Sequence, residues 1–335
     1  MNKFSIIVPV YNAEKTIERL LASFISSKNY IREVILVNDR SDDDTFSKID
    51  FFKKFFEIKV IDNQGNKGPG PARKTGILAA ESEWITFVDA DDCLTHSSLY
   101  YVNEQLNDYE DIVLLHTQSI FYESGNFNPE HIEHSDGSCG GNFYKKDYLI
   151  QNNIFPHDEL FMAEDEYFND ILIKYIELYG EPEMIARYDY PVYEVHHDID
   201  EEISFAIKNW GDYLCKYHLL GKMYFADFFK QDKNILNELR DDLLNDFIFC
   251  FYLAQGLIDD PEVDFRMDVL KYFNQVLQYI KDVFNMTEED VIEYFNSNPD
   301  HVKNLYRWAC ESTAIKIRKM FSFDKFIKSL SKYAE

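Results

Sequence analysis

The chain has 335 residues and a mass of 39.7 kDa, and its 34 Lys and Arg against 60 Asp and Glu give a formal net charge of −26. Because 46% of the residues are hydrophobic, the composition is that of a globular protein and excludes a disordered acidic chain. The charge disfavours a nucleic-acid partner, since phosphate contacts need Lys and Arg. Residues 107–205 alone carry 4 basic and 23 acidic side chains, a net charge of −19.

Strands and helices alternate along the first hundred residues. Apolar β-branched runs predict strands at 4–10, 33–39, 57–62 and 84–89, and amphipathic spacing predicts helices at 14–27, 44–56 and 72–81. Gly and Pro argue against regular structure at 63–71. This order predicts a doubly wound parallel sheet with right-handed crossovers, and such sheets bind ligands beyond the carboxyl ends of their strands.

After the first hundred residues the predicted elements are both helices and strands up to about residue 205, and helices alone beyond it. We predict a helix near 97–107, a strand at 111–122, a polar loop at 123–138, a helix near 164–178, and strands at 183–190 and 191–197. Repeated i, i+3, i+4 apolar spacing then predicts helices over Ile203–Phe229, Leu236–Ile258, Phe265–Phe284 and Leu305–Tyr333.

Cysteine usage and hydropathy indicate a soluble, cytoplasmic protein. The five cysteines are scattered and form no Cys-x-x-Cys pair, so they indicate neither a disulfide framework nor a zinc knuckle. No run approaches the ~18 apolar residues of a membrane span, and the N-terminal apolar stretch is too short for a signal peptide. Residues 314–335 carry six basic and two acidic residues on a helical pattern. Peripheral contact with an anionic membrane is one interpretation of that pattern, but core packing or association with a second copy of the chain is favoured.

Five motifs follow one another along the chain. They are SIIVPVYN at 5–12, VNDRSDDDT at 37–45, NKGPGPARKTG at 66–76, FVDADD at 87–92 and AED at 163–165. Together they resemble family 2 glycosyltransferases over about residues 3–205. The resemblance implies a GT-A fold, an α/β class with a Rossmann-like, mostly parallel twisted sheet and flanking helices, here followed by an all-helical C-terminal domain. It also implies transfer of a sugar from a nucleotide sugar, with UDP favoured as the nucleotide, and inversion at the anomeric carbon.

The resemblance also divides the chain into domains. It implies a catalytic domain at 1–205, with a nucleotide-sugar-binding half at 1–106 and an acceptor half at 107–205. Residues 206–335 are then a helical domain that binds the acceptor, associates with another copy of the chain, or does both.

The acidic motif Asp89–Asp92 follows a predicted strand. A nucleotide-diphosphate leaving group accumulates negative charge, which a divalent cation with oxygen ligands neutralises. By resemblance, Asp91 holds Mn²⁺ or Mg²⁺ and Asp89 binds on the ribose side, with Ala90 between them. The alternative is an acidic turn that caps the next helix.

Further donor-binding residues follow from the other motifs. By resemblance, Asp39 accepts the uracil N3–H, although it can also cap a helix near Asp44. In the third motif glycine permits close backbone approach, Arg73 contacts phosphate or uracil, and Lys74 stands where the family usually has Asn. The first loop faces the nucleotide, or is a plain turn with Asn12 as N-cap. The predicted donor set is Pro9, Tyr11, Asn12, Asp39, Asn66, Gly68, Arg73, Asp89 and Ala90.

The acceptor side is predicted from the AED motif and its neighbours. By resemblance Asp165 is the general base that takes the proton of the attacking hydroxyl, and Glu164 positions base or acceptor. The alternative is a pair of acids stabilised at a helix N-terminus. His196 and His197 are further candidate metal ligands, of which alternation along a strand lets at most one point inward. Gly140, Gly141 and Asn142 are predicted to line the acceptor entrance.

The charge distribution bears on the acceptor. A net charge of −19 over residues 107–205 repels polyanions, so we expect a neutral or weakly charged acceptor. Two other functions stay open. One is a sugar nucleotidyltransferase, which is disfavoured because residues 9–16 of this chain lack the basic Gly-rich loop that such chemistry prefers. The other is a non-catalytic assembly protein that binds nucleotide sugars.

Overall fold

The computed structural model describes residues 2–109, 111–123, 126–134, 137–197, 210–258, 268–297 and 323–330. The chain divides into two compact units, Met1–Glu202 and Ile203–Glu335. The predicted helix Leu305–Tyr333 lies outside the described residues except for Phe323–Leu330, which is helical. No helix in the described ranges combines the length and apolar character that a membrane crossing requires.

Nine strands of the first unit form one mixed sheet in the described residues. They are β1 Phe4–Val10, β2 Ile31–Asn38, β3 Ile58–Asp62, β4 Trp84–Phe87, β5 Cys93–Leu94, β6 Leu114–Glu123, β7 Asn126–His134, β8 Phe143–Lys145 and β9 Ile185–His197. The order is β3-β2-β1-β4-β8-β6-β9-β5, with β7 paired to β6. Strands β1 to β4 are parallel to one another, whereas β8 is antiparallel to both β4 and β6.

In the first unit the described helices flank this sheet. In the second unit all of the described elements are helices. In the first unit they are α1 Ile17–Ser23, α2 Pro69–Ala79, α3 Ser98–Leu106, α4 Lys146–Gln151 and α5 Glu164–Tyr179. In the second unit they are α6 Trp210–Phe229, α7 Leu236–Ile258, α8 Asp268–Phe284, α9 Glu288–Ser297 and α10 Phe323–Leu330. Strand β1 is buried along almost its whole length, as expected for the centre of a parallel sheet.

The predicted helix at 44–56 is wrong. The chain instead forms two 3₁₀ turns, Thr45–Lys48 and Phe52–Lys54. The Asp43 carboxylate accepts hydrogen bonds from the backbone N–H groups of Glu14, at 2.9 Å, and Thr45, at 3.1 Å. Such local bonds from side chain to backbone compete with helix formation, which explains the broken segment.

Two loop predictions are also wrong. Helix α2 begins at Pro69, inside the Gly- and Pro-rich segment, because Pro is preorganised for the first turn of a helix and Gly68 takes a φ of +138° before it. The segment predicted as a polar loop at 123–138 contains strand β7. The two strands predicted at 183–190 and 191–197 are in fact one strand, β9, whose register against β6 shifts on either side of Gln118.

Helix α2 packs closely on β1 at Gly76. A Cβ built on Gly76 would lie 2.2 Å from the Cγ2 atom of Ile7, a fully buried residue in the centre of the sheet. We expect Gly76→Ala to lower the free energy of unfolding by about 1–3 kcal/mol, because overpacking exceeds the gain in helix propensity. Gly137→Ala is the control, since a Cβ there meets nothing within 4 Å. Equal stability of the two variants in denaturant titrations would contradict this packing argument.

Candidate active site

The carboxyl ends of four parallel strands, β1 to β4, meet at one edge of the sheet. The Asp39 backbone N–H donates to Val10 O at 2.8 Å, which joins the end of β2 to the end of β1. Asn63, just beyond β3, donates through its N–H to Asn38 O at 2.9 Å. The FVDADD motif leaves β4 beside them, where Val88 donates to Ile7 O at 3.1 Å.

Asp39 organises the loop that leads into α2. Its side chain is buried, and its Oδ1 atom accepts a hydrogen bond of 2.7 Å from Asn63 Nδ2. Its Oδ2 atom accepts a hydrogen bond of 2.8 Å from the backbone N–H of Gly68. The exposed Arg40 side chain also donates to Oδ1, at 3.2 Å. A carboxylate offers about four acceptor positions, so one position on Oδ2 remains within the described residues.

The first loop carries one exposed aromatic ring. Tyr11 is half exposed, and Lys67 Nζ lies 3.6 Å from the centre of its ring. Asn12 does not cap α1, which begins at Ile17; its side chain exchanges two hydrogen bonds with Asp42, at 2.8 and 2.9 Å. Its φ of +49° is the left-handed conformation that Asn tolerates better than most residues.

Three other predicted donor residues make structural contacts within the first unit. Pro9 lies in β1, paired with Val37. The Asn66 carbonyl accepts a hydrogen bond from Asn63 Nδ2, and its own side chain donates to Asp158 O at 3.2 Å. Ala90 is partly buried and packs against the hydrophobic core.

Arg73 lies at the centre of the site, buried, with 4% of its surface exposed. Its Nη2 atom donates to Asp89 Oδ1 at 2.7 Å, and its Nη1 atom donates to Glu164 Oε1. The guanidinium therefore joins the FVDADD motif to the AED motif. Both terminal nitrogens of Arg73 bind carboxylates, and its contact with phosphate or uracil stays a prediction. Lys74 pairs with Asp158 at 3.0 Å.

The acids of the AED motif differ in exposure. Glu164 is buried, and this burial raises its pKa, opposed by the nearby Arg73. Burial also raises the pKa of Asp165, again opposed by Arg73. Asp165 is only half-buried, and its Oδ1 atom accepts the Glu166 N–H at 3.0 Å. Glu164 thus faces the interior, while Asp165 keeps access to solvent.

The FVDADD turn is held by a tyrosine from β9. Tyr193 Oη donates to Asp92 Oδ2 at 2.6 Å and accepts the Asp89 N–H at 3.1 Å. Asp92 is buried, and burial together with the neighbouring Asp91 and Asp89 carboxylates holds its pKa well above the usual range. Asp91 has an exposed side chain, while its carbonyl accepts a 2.6 Å hydrogen bond from Arg19 Nη2.

The residues predicted at the acceptor entrance have another physical role. Cβ atoms on Gly140 and Gly141 would come within 2.7 and 2.6 Å of Tyr193, so it is the Tyr193 ring that fills the space beside these glycines. Asn142 is fully buried: its Oδ1 accepts the Thr117 N–H at 3.1 Å and its Nδ2 donates to Ser138 O at 2.8 Å. These three residues support the site, and the structure gives no contact surface for a sugar at Asn142.

The two histidines are described to different extents. The His196 backbone donates to Asp92 Oδ1 at 2.9 Å. Its ring stacks on Tyr122 with centroids 4.7 Å apart, and its Nε2 lies 3.3 Å from Glu194. Because side chains alternate along β9, the His196 ring lies on the face opposite Tyr193. The side chain of His197 lies outside the described residues, and its backbone pairs with Glu123.

Sequence reasoning missed three residues that hold the site together: Tyr193, Arg19 and Asn63. Each resembles an ordinary strand, helix or loop residue in the sequence, because its role depends on a partner at least 24 positions away. The Gly140–Gly141 pair was the available signal for Tyr193, since adjacent glycines in an apolar segment often mark close approach of another group.

Comparison with known proteins identifies the family. Residues 5–172, just over half of the chain, match Glycosyl transferase family 2. The chain therefore belongs to glycosyltransferase family 2, and the prediction of an enzyme of the glycosyltransferase class is confirmed at the level of the family.

Individual relatives match over part of their length. The chain is 31% identical over 188 residues to the poly(ribitol-phosphate) β-N-acetylglucosaminyltransferase TarS of Staphylococcus aureus, covering 50% of this chain and 32% of the relative. It is 39% identical over 102 residues to the uncharacterized glycosyltransferase EpsJ of Bacillus subtilis, covering 30% of this chain and 29% of the relative. The chain thus aligns with about a third of each relative.

A solved structure confirms the fold. Residues 1–349 of S. aureus TarS in complex with UDP-GlcNAc superpose with a TM-score of 0.62 at 20% identity, covering 96% of this chain and 95% of that one. At that identity the likeness shows the fold alone. The predicted GT-A fold with a helical C-terminal region is confirmed.

The buried Arg73 bridge leads to a stability prediction. Arg73→Met leaves Asp89 and Glu164 without their shared cation, so we expect the free energy of unfolding to fall by about 3–5 kcal/mol. Adding Glu164→Gln removes one of the two orphaned charges and recovers part of the loss. Thermal and denaturant unfolding of the single and double variants measure both effects. If Glu164→Gln lowers the free energy of unfolding by the same amount in the Arg73→Met background as it does alone, the two residues are independent.

Proposed function

We propose that the chain transfers a sugar from a UDP-sugar to an acceptor hydroxyl with inversion at the anomeric carbon. The observation that carries this proposal is the Arg73 bridge between Asp89 and Glu164. It holds the acids of the donor motif and of the acceptor motif around one guanidinium. A direct displacement needs donor and attacking hydroxyl close together, and this arrangement meets that need.

The donor side is proposed from the strand ends. The remaining acceptor position on Asp39 Oδ2 suits the N3–H of uracil, and the half-exposed Tyr11 ring offers an aromatic surface beside it. The UDP-GlcNAc complex of TarS has the same fold, which supports a UDP-sugar as donor. Lys67, whose Nζ lies over the Tyr11 ring, is an exposed cation beside the proposed donor site.

The chain's residues fit a divalent cation at Asp91. This carboxylate is exposed at a strand end, and the Asp89 side chain beside it is 42% exposed. Hard oxygen ligands of this kind suit Mn²⁺ or Mg²⁺, with positions left for phosphate oxygens. We propose that Asp91 holds the cation while Asp89, fixed by Arg73, binds on the ribose side. When bound, such a cation neutralises charge on the departing diphosphate.

Asp165 is proposed as the general base. Its carboxylate takes the proton of the acceptor hydroxyl as that oxygen forms the new bond to the anomeric carbon and the bond to the diphosphate oxygen breaks. Burial keeps its pKa above the usual value, which brings it nearer to the neutral pH at which a base works best. Glu164, held by Arg73, positions the start of α5.

The family match favours this transferase activity over a sugar nucleotidyltransferase. A non-catalytic role is distinguished by experiment. We expect Asp165→Asn to lower the turnover number by about 10²–10⁴-fold, the range that general-base catalysis supplies, with little change in UDP binding. Turnover is measured as UDP release from a panel of UDP-sugars with Mn²⁺. The control is Glu166→Gln, which changes the exposed acid next to the proposed base. Full activity of Asp165→Asn would refute the assignment of the base.

The matching donor-side variant is Asp91→Asn. We expect it to abolish turnover and the part of UDP binding that depends on Mn²⁺, since it removes the proposed ligand. Calorimetric titration with UDP, with and without Mn²⁺, measures this. UDP binding by the wild-type chain that does not respond to Mn²⁺ would contradict the proposed metal role. UDP binding without turnover of any UDP-sugar in the panel would favour the non-catalytic alternative.

The acceptor is proposed to be a neutral or weakly charged glycan. The name of TarS indicates a poly(ribitol-phosphate) acceptor for that protein, which is a polyanion. In this chain the segment 107–205 carries a net charge of −19, which opposes a polyanion close to Asp165. We expect transfer to neutral oligosaccharides to exceed transfer to a poly(polyol phosphate) at low salt. Efficient transfer to the polyanion that does not change with salt would contradict this proposal.

A further inference from the structure

A second cluster of metal-ligating side chains lies on the opposite face of the sheet from Tyr193. Cys93 lies on β5 and pairs with Glu194 on the antiparallel strand β9. His196 follows two residues after Glu194, so their side chains share one face of the strand. The Cys93 sulfur, a Glu194 carboxylate oxygen and a His196 ring nitrogen all lie within 4.8 Å of one another.

The three ligand types identify the class of ion. Thiolate, imidazole and carboxylate together are ligands that Zn²⁺ takes in proteins. His196 Nε2 lies 3.3 Å from Glu194 Oε2. Two ligands of one tetrahedral ion, each about 2.0–2.2 Å from it, lie at about this separation. The hard ions Mg²⁺ and Mn²⁺ prefer oxygen, so a sulfur ligand disfavours them here.

The surroundings shield the cluster without closing it. Cys93 is 4% exposed, while the side chains of His196 and Glu194 keep 12% and 22% of their surface exposed. An ion can therefore enter from the Glu194 side and keep a water molecule as a fourth ligand. The Tyr122 ring stacked on His196 limits the motion of that imidazole.

The charges of the cluster balance a dication. Zn²⁺ binds the thiolate form of cysteine, so binding of the ion releases the Cys93 proton. Once Cys93 is deprotonated, its charge and that of Glu194 add up to the −2 that one dication neutralises. Arg19 is the nearby cation that opposes binding.

We propose that Cys93, Glu194 and His196 form a binding site for a transition-metal dication of the Zn²⁺ class. The ion ties β5 to β9 across the sheet face opposite the active site. His196 also donates through its backbone to Asp92 Oδ1, so the ion stiffens the support of the FVDADD turn. Its three ligands differ from the carboxylate proposed to hold the cation at Asp91, and the proposal does not depend on the transfer reaction.

Cobalt substitution tests the proposal through the sulfur ligand. The full chain is treated with a chelator, dialysed and titrated with Co²⁺. We expect a thiolate-to-cobalt charge-transfer band in the near ultraviolet, which disappears in Cys93→Ala. Cys250→Ser is the matched control, since Cys250 is also a buried cysteine outside any disulfide and lies in the second unit. A wild-type chain without the band, or a band that survives in Cys93→Ala, overturns the proposal.

Two further measurements, zinc affinity and thermal stability, test the site even if one variant folds poorly. Zn²⁺ is titrated in competition with a chromophoric chelator, and we expect Glu194→Gln to bind more than about 10-fold more weakly, since even outer-shell changes cost 10–100-fold. Zn²⁺ is expected to raise the melting temperature of the wild-type chain and of Asp91→Asn, but not of Cys93→Ala. Equal Zn²⁺ affinity of wild type, Glu194→Gln and Cys93→Ala overturns the site.

Discussion

The first unit depends on the ion bridge of Arg73. A guanidinium that is 4% exposed has lost nearly all of its hydration, which costs several kcal/mol unless carboxylates replace the water. Its partners, Asp89 and Glu164, lie 16 and 91 positions away in sequence. The bridge can therefore form only when β4, α2 and α5 are all in place. This one requirement couples the folding of the segment that holds Arg73 and Asp89 to the folding of the segment that holds Glu164.

The bridge also separates two kinds of acid within each motif. In the FVDADD motif Asp92 is buried and hydrogen-bonded to Tyr193, while its neighbour Asp91 is exposed. In the AED motif Glu164 is buried against Arg73, while its neighbour Asp165 keeps access to solvent. In each pair one carboxylate is buried and paired, and the other keeps access to solvent. Two adjacent carboxylates repel each other, which costs free energy. This cost is lower here because the buried carboxylate is paired.

The parts of the fold that depend on local pattern could be predicted from the sequence. The apolar β-branched runs place β1 and β4 correctly, and the helix predicted near 164–178 is α5 Glu164–Tyr179. Where side chains bond the local backbone, as Asp43 does, periodicity predicted a helix that the chain does not form. The prolines at the start of α2 do not decide between a loop and a helix from sequence, because Pro suits both a loop and a first helical turn.

The candidate site could be predicted as a set of residue types but not as a set of contacts. The motifs bring Asp39, Asp89, Asp91 and Glu164 to neighbouring strand and helix ends, as the topology of a doubly wound sheet requires. Which acid pairs with Arg73 depends on burial and distance in the folded chain, and no sequence spacing encodes either. Tyr193 shows the same limit, since its ring fills the space beside Gly140 from more than 50 positions away.

Alternation along β9 explains how one strand serves two different environments. Tyr193 points to the active-site face and binds the Asp89–Asp92 turn, whereas Glu194 and His196 point to the other face beside Cys93. The Asp89–Asp92 turn presents carboxylate oxygens, and the second face combines sulfur, nitrogen and oxygen. Because ligand softness selects the ion, the two metal sites that we propose favour different metals although both lie beside β9. The backbone of His196, which donates to Asp92, is the point at which a change on one face reaches the other.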